Sequence, residues 1–149
     1  MPLAGFIDMP MLDECYVAVG GTATMNRAPI RTSRVTELSR ARIATTSPEA
    51  LKPDSLDAFN RLSAASATST YGGDCHNYAL LAAGHVDIVL EDGLATHDIM
   101  GVVEVIRAAG GIVTDKTGAA VTMQGTDSLL AASTPELHAA ALALVSKSG

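Results

Sequence analysis

The chain opens with short apolar runs broken by turn residues: Gly5-Phe-Ile-Asp, Cys15-Tyr-Val-Ala-Val, the pair Gly20-Gly21, and then Ala23 to Ile30. Runs of this length between turn-forming clusters predict a β-meander, with Leu12-Asp13-Glu14 at its first turn and Asn26-Arg27 at its last. A strand is predicted over 41–46, and Leu56, Phe59 and Leu62 recur on one side of a helix running from Ser55 to Ala65. From residue 66 onward strands and helices alternate. Strands are predicted over 68–71, 86–91, 112–115 and 128–132, and helices over 74–83, 99–109 and 135–146. Thr134 is the expected N-cap ahead of Pro135, and Gly84 and Gly110 are the expected helix stops. Several β-α-β units in a row predict an α/β fold: a layered, at least partly parallel sheet with flanking helices, preceded by the β-meander.

Composition narrows the class. A chain of 149 residues with 48% hydrophobic positions can bury a core of its own and suits one domain. With a formal net charge of −6, and basic residues scattered except for Arg31, Arg34, Arg40 and Arg42, it offers no diffuse positive field for nucleic acid. Cys15 and Cys75 form no Cys-x-x-Cys and read as free thiols in a reducing compartment. No basic segment precedes an apolar stretch after Met1, and no apolar run approaches the roughly 18 residues of a membrane span. The expectation is a soluble, cytoplasmic protein with no membrane or nucleic-acid partner.

Two acidic positions carry candidate chemistry. Glu91 stands where the apolar run Val86-Asp-Ile-Val-Leu ends, and Asp98 where the next helix is predicted to begin. A carboxylate at a strand's C-terminal end and another at a helix start face the crevice where ligands of α/β sheets collect. The helix start adds free N–H groups suited to an anion such as phosphate. The plainer alternative makes Asp98 an N-cap and Glu91 a solvated strand end. Gly72 and Gly73 precede Asp74 between a strand and a helix, where glycines either admit a ligand to the backbone or simply make a tight turn. His76, His85, His97 and His138 show no metal-ligand spacing.

Taken together, the run from Gly72 to Glu91, His97-Asp98-Ile, and Ala108-Ala-Gly-Gly-Ile-Val-Thr-Asp-Lys-Thr-Gly118 resemble the C-terminal signature of the inositol monophosphatase superfamily. Gly5-Phe-Ile-Asp-Met-Pro-Met-Leu-Asp-Glu, Asn26-Arg-Ala-Pro-Ile-Arg and Ala44-Thr-Thr-Ser-Pro48 also have counterparts there, so the resemblance covers nearly the whole chain. Tyr71-Gly-Gly-Asp-Cys, the Thr-Ser-Pro and Phe59-Asn-Arg-Leu62 are similar to the histidinol-phosphatase branch. The fold this implies is the C-terminal half of an αβαβα sandwich. Residues 1–35 would be remnant strands of the N-terminal sheet and 36–149 the C-terminal α/β domain. The activity implied is hydrolysis of a small phosphate monoester, histidinol phosphate in that branch, with Mg²⁺ as the cofactor. By the same resemblance Asp98 is a metal ligand, while Gly72, Gly73, Asp74 and Glu91 bind substrate, Glu91 and Asp74 suiting an amine or imidazole. Mg²⁺ favours such hard oxygen donors, and paired metals can clamp the attacking and leaving oxygens.

The chain departs from the family pattern in two ways. His97 replaces the usual aromatic residue before the metal-ligating Asp, and Ile-Met-Gly follows where small residues are usual. The upstream Glu-Glu segment and Asp-Pro-(Ile/Leu)-Asp-Gly-Thr loop, which bring most metal carboxylates, have no counterpart, and one Asp cannot build a Mg²⁺ cage. No catalytic residue is assigned within the chain for that reason. Two readings follow: a phosphatase half, inactive alone and completed by an N-terminal half or by homo-oligomer formation, or a non-catalytic binding or assembly module derived from the fold. An Asp-Pro-x-Asp-Gly-Thr segment encoded upstream would favour the first. A Rossmann-like nucleotide binder is disfavoured, since no Gly-x-Gly-x-x-Gly opens a helix after a strand.

Overall fold

A computed structural model describes residues 2–146, so Met1 and residues 147–149, with the ends of the 1–35 and 36–149 segments and the leader reading at Met1, lie outside the described residues. The first part of the chain forms four strands, β1 (Ala4–Met9), β2 (Glu14–Val19), β3 (Thr22–Met25) and β4 (Ala28–Pro29), in one antiparallel sheet in that order. Period-two alternation sets its faces. Ile7, Tyr16, Ala18 and Ala23 point inward and are buried, while Phe6 and Val17, directly opposite each other, point outward. The expected turns are present: Asp13 is left-handed at φ 55° after a short 3₁₀ turn, and Asn26 and Arg27 have φ of 48° and 71°. Asn26 fixes its turn further, accepting from the Cys15 N–H at 2.8 Å and donating to the Asp13 carbonyl at 2.6 Å.

The second part forms β5 (Arg42–Thr45), α1 (Pro53–Ala65), β6 (Thr68–Tyr71), α2 (Cys75–Ala82), β7 (Ile88–Asp92), α3 (Thr96–Ala108), β8 (Ile112–Thr114), β9 (Ser128–Ala132) and α4 (Pro135–Val145). Its sheet has the order β6-β5-β7-β9-β8. The β6, β5 and β7 strands run parallel, and β9 lies antiparallel between β7 and β8. Helices α2 and α3 pack between the two sheets and α1 and α4 cover the far face, giving alternating layers of sheet and helix. Every residue of β7 and β9 is buried, as a strand covered on both faces requires. Val89, Leu129 and Ala131 feed the core shared with α2, α3 and the first sheet, and Ile88, Leu90, Leu130 and Ala132 feed the core under α1 and α4.

Element types match the expectations, and several boundaries differ for physical reasons. Helix α1 starts at Pro53, because proline's fixed φ and missing N–H suit a first helical position. Helix α3 starts at Thr96, three residues before the first apolar position, because a solvent-facing first turn carries no apolar periodicity. Strand β7 starts at Ile88, since Asp87 turns its fully buried carboxylate to the Arg42 backbone N–H and guanidinium at 2.8 Å, and to the Ser33 hydroxyl.

The antiparallel sheet approaches α3 closely: a Cβ on Gly5 would sit 2.4 Å from the Gly101 carbonyl oxygen. Its other face is open, with Phe6 70% and Val19 61% exposed, and β1 is an edge strand. Unpaired edge groups beside apolar side chains favour pairing with another copy. Concentration-dependent association is therefore expected by light scattering, reduced by Phe6→Lys at a stability change within about 0.5 kcal/mol. A monodisperse monomer at high concentration would contradict this.

Candidate functional site

At the C-terminal ends of β5 and β7, Thr46, Leu51, Asp74, Glu91, Asp92 and Leu94 are among the residues lining a cleft of about 180 Å³. Glu91 forms its floor at 5% exposure. The Thr46 backbone N–H donates to its Oε1 at 3.1 Å, joined by the Thr46 hydroxyl, and the Tyr78 hydroxyl donates to Oε2 at 2.9 Å. Burial pushes the Glu91 carboxyl above its ordinary range, with the Thr46, Tyr78 and Asn77 hydrogen bonds opposing that rise. Glu91 is thus a buried, satisfied carboxylate and not a solvated strand end.

The Gly72-Gly73-Asp74 turn forms one wall beside it. Three consecutive residues take positive φ, 82°, 100° and 50°, which is routine for glycine and uncommon for Asp74. Asn77 holds the turn, donating to the Gly72 carbonyl at 2.8 Å, and a Cβ on Gly73 would meet the Asn77 Oδ1 at 2.6 Å. Asp74 sits at the cap position of α2 but does not cap it with its side chain, which stays exposed. Asp98 lies outside the cleft lining. It is the third residue of α3, not its N-cap, and its Oδ2 accepts from the Ala95 N–H at 2.8 Å. The three acids nevertheless share a neighbourhood. Tyr78, fully enclosed, has its hydroxyl pushed well above the usual phenol range by burial first and then by the charges of Glu91, Asp74 and Asp98.

Behind Glu91, on the opposite face of β7, Asp92 has a side chain with 0% exposure. It accepts from Ser55 and from Lys116 at 3.1 Å, from the Gly93 N–H at 2.8 Å, and pairs with Lys52 at 3.2 Å. Burial alone would raise the Asp92 carboxyl, but these donors outweigh it and hold it down at about 2. The histidines read as non-ligands have other surroundings: His76 meets Glu14 and His97 meets Asp98, each at 3.4 Å, and buried His138 lies 2.9 Å from the Thr114 hydroxyl. Among the described residues no three His, Cys, Asp or Glu side chains gather as a metal cluster. The donor set therefore does not fit a complete Mg²⁺ cage, which takes several oxygen ligands in an octahedron.

The inositol monophosphatase family profile matches residues 1–149, and the chain belongs to that family, whose members are generally metal-dependent phosphatases. It is 38% identical over 133 residues to the Arabidopsis thaliana bifunctional phosphatase IMPL2, chloroplastic, covering 89% of this chain and 38% of the relative. A Chlorobaculum parvum histidinol-phosphatase is 29% identical over 116 residues, covering 76% of this chain and 45% of the relative. The chain thus spans less than half the length of these curated relatives. Among solved structures, an inositol monophosphatase from Zymomonas mobilis superposes with a TM-score of 0.93 at 30% identity, over 97% of this chain and 58% of that one.

Sequence reasoning did not single out Tyr78, Thr46 and Asn77 individually as partners of Glu91, nor the lysines on Asp92. Their roles depend on which elements meet in space.

The two neighbouring carboxylates titrate in opposite senses. Asp92, depressed from 3.8 to about 2, contributes stability that is present above pH 3.8 and lost as pH falls through about 2. The contribution is on the order of 2 kcal/mol. Glu91, raised when folded, makes folding less favourable as pH climbs from its unfolded value through its folded one. Urea unfolding from pH 2 to 7 should show Asp92→Asn flattening the acid limb and Glu91→Gln removing the loss at higher pH. Parallel curves for wild type and both variants would contradict the assignment.

Proposed function

We propose that this chain is the substrate-recognition half of a Mg²⁺-dependent phosphate monoester hydrolase acting on an ester with a cationic organic group, histidinol phosphate being the candidate. The observation that carries this reading is the cleft's charge. Glu91 and Asp74 both line it, and neither has a cationic partner among the described residues. A buried carboxylate beside an exposed one, neither paired with a cation, favours an amine or imidazolium over a neutral polyol. The similarity to a histidinol-phosphatase supports the same choice. Gly72 and Gly73 would let the substrate approach the backbone, and Asp98 would contribute one oxygen to the metal site. Residues 1–35 are read as strands of a larger sheet and 36–149 as the C-terminal α/β domain, completed by an N-terminal half or by a second copy, in a reducing cytoplasmic setting suited to two free thiols.

A second reading, a binding or assembly module without turnover, is favoured by one observation: no three-donor metal cluster exists among the described residues. Phosphate release from histidinol phosphate and from inositol phosphate with Mg²⁺, measured on this chain alone and with an added N-terminal half, separates the two. Release only in the complemented sample supports the hydrolase, and none in either supports the module.

Two outcomes are expected under the hydrolase reading. The chain alone turns over histidinol phosphate orders of magnitude more slowly than the complemented protein, because metal-assisted charge stabilisation contributes several kcal/mol and each 1.36 kcal/mol is tenfold in rate. An ordinary enzymatic rate from the isolated chain, abolished by Asp98→Asn, would overturn the site assignment. In the complemented enzyme, Glu91→Gln raises KM for histidinol phosphate by about tenfold or more, since a hydrogen bond to a charged group contributes about 1.5–3 kcal/mol, and raises KM less for a neutral sugar phosphate. Equal losses on both substrates would remove the role given to Glu91.

A further inference from the structure

Glu91 stands where β7 is least held by its neighbours. Pairing with β5 covers Ile88 and Val89, so Leu90, Glu91 and Asp92 have ladder partners on β9 alone. On the cleft side Glu91 is tethered through its carboxylate to Thr46 and Tyr78. Asp92, pointing to the opposite face as the next strand residue must, carries the second tether. Its carboxylate meets Lys116 from the β8–β9 connection, and Lys52 and Ser55 from the beginning of α1. Asp54 closes on Lys116 at 2.9 Å and Asp127 on Lys52 at 2.6 Å, so five charges alternate in sign along the row Asp54, Lys116, Asp92, Lys52, Asp127. The Lys116 backbone N–H also donates to the hydroxyl of Ser128, the β9 residue opposite Asp92. Losing one partner of a carboxylate buried this completely leaves a charge without compensation, so the row resists displacement.

We propose that Asp92 is a positioning residue: held by Lys116 and Lys52, it fixes the side of the β7 end that β5 leaves free, and so keeps the Glu91 carboxylate seated on Thr46 and Tyr78 in the cleft. Adjacent strand residues share a peptide unit and point to opposite faces, so movement of Asp92 turns Glu91 in its pocket. The functional meaning rests on the reading of Glu91 as a substrate contact; the geometry does not.

The test follows the Glu91 side-chain carboxyl by ¹³C NMR titration in the 149-residue chain, as wild type and as Asp92→Asn, Lys116→Met and Lys52→Met. Positioning predicts that each substitution loosens the strand end, admits water to Glu91 and moves its midpoint down toward the ordinary glutamate range. Simple charge effects predict opposite signs: losing the Asp92 charge lowers the midpoint, and losing either lysine raises it. The same downward sign in all three, with Lys116→Arg restoring the wild-type midpoint, is the expected result. Opposite signs, or lysine variants that leave the midpoint unmoved, would overturn the proposal. Lys52 is half-exposed, so Lys52→Met decides the sign even where Asp92→Asn does not fold. No substrate or metal enters this measurement. Inactivity toward histidinol phosphate alongside a common downward shift would remove the functional reading and leave the positioning role standing.

Discussion

A strand buried on both faces that ends in two adjacent carboxylates sets the terms for the rest of the molecule. Apolar residues of β7 divide between two cores by simple alternation, and the same alternation sends Glu91 and Asp92 to opposite faces. Neither can stay ionised there without partners, because transfer of a charge from water is expensive unless hydrogen bonds and counter-charges replace the lost hydration. The fold supplies two different solutions one residue apart. Asp92 receives cations and is kept strongly acidic; Glu91 receives neutral hydroxyls and an amide N–H, and its ionisation is left costly. The first solution suits a fixed structural joint. The second leaves a carboxylate able to gain from an incoming cation.

This contrast separates the carboxylates that line the cleft: Glu91 and Asp74 meet no cation among the described residues, while Asp92 is compensated by Lys52 and Lys116. Lys52 and Lys116 lie on the α1 side of the sheet, where they serve Asp92, and the α2 side is furnished by Tyr78, Asn77 and the glycine turn. The turn adds Asp74 in a backbone conformation that non-glycine residues seldom adopt. A strained backbone at a cleft wall is a common mark of a site shaped for a ligand. Under the proposed reading, groups on a tethered strand end and a tightly turned helix start would need little ordering when substrate arrives.

Much of the fold was legible because its signals are local. The strands over 68–71 and 128–132 and the N-cap at Thr134 follow from residue type and period alone, and Glu91 was conspicuous because an apolar run stops at it. Less legible was whatever depends on partners far apart in sequence. The start of α3 at Thr96 is invisible to hydrophobic periodicity. The insertion of antiparallel β9 between β7 and β8 cannot be seen in either segment, since all the segment encodes is that both its faces are apolar. The site follows the same rule. Its acidic members could be named from strand and helix ends, while Tyr78, Thr46 and the lysines of Asp92 look like ordinary core, loop and surface residues until α1, α2 and β7 are brought together.

The contact between Gly5 and Gly101 has a mechanical side. Most sheets and helices are separated by a cushion of side chains that can change rotamer and absorb a displacement, but at this crossing the backbones meet almost directly. The outer sheet and α3 therefore meet backbone to backbone at this crossing, inside a wider interface of packed side chains, and no residue larger than glycine fits at position 5 without moving one of them. The first turn of that helix holds Asp98. A side chain added at position 5 would therefore press on the helix that carries Asp98, a carboxylate it never touches.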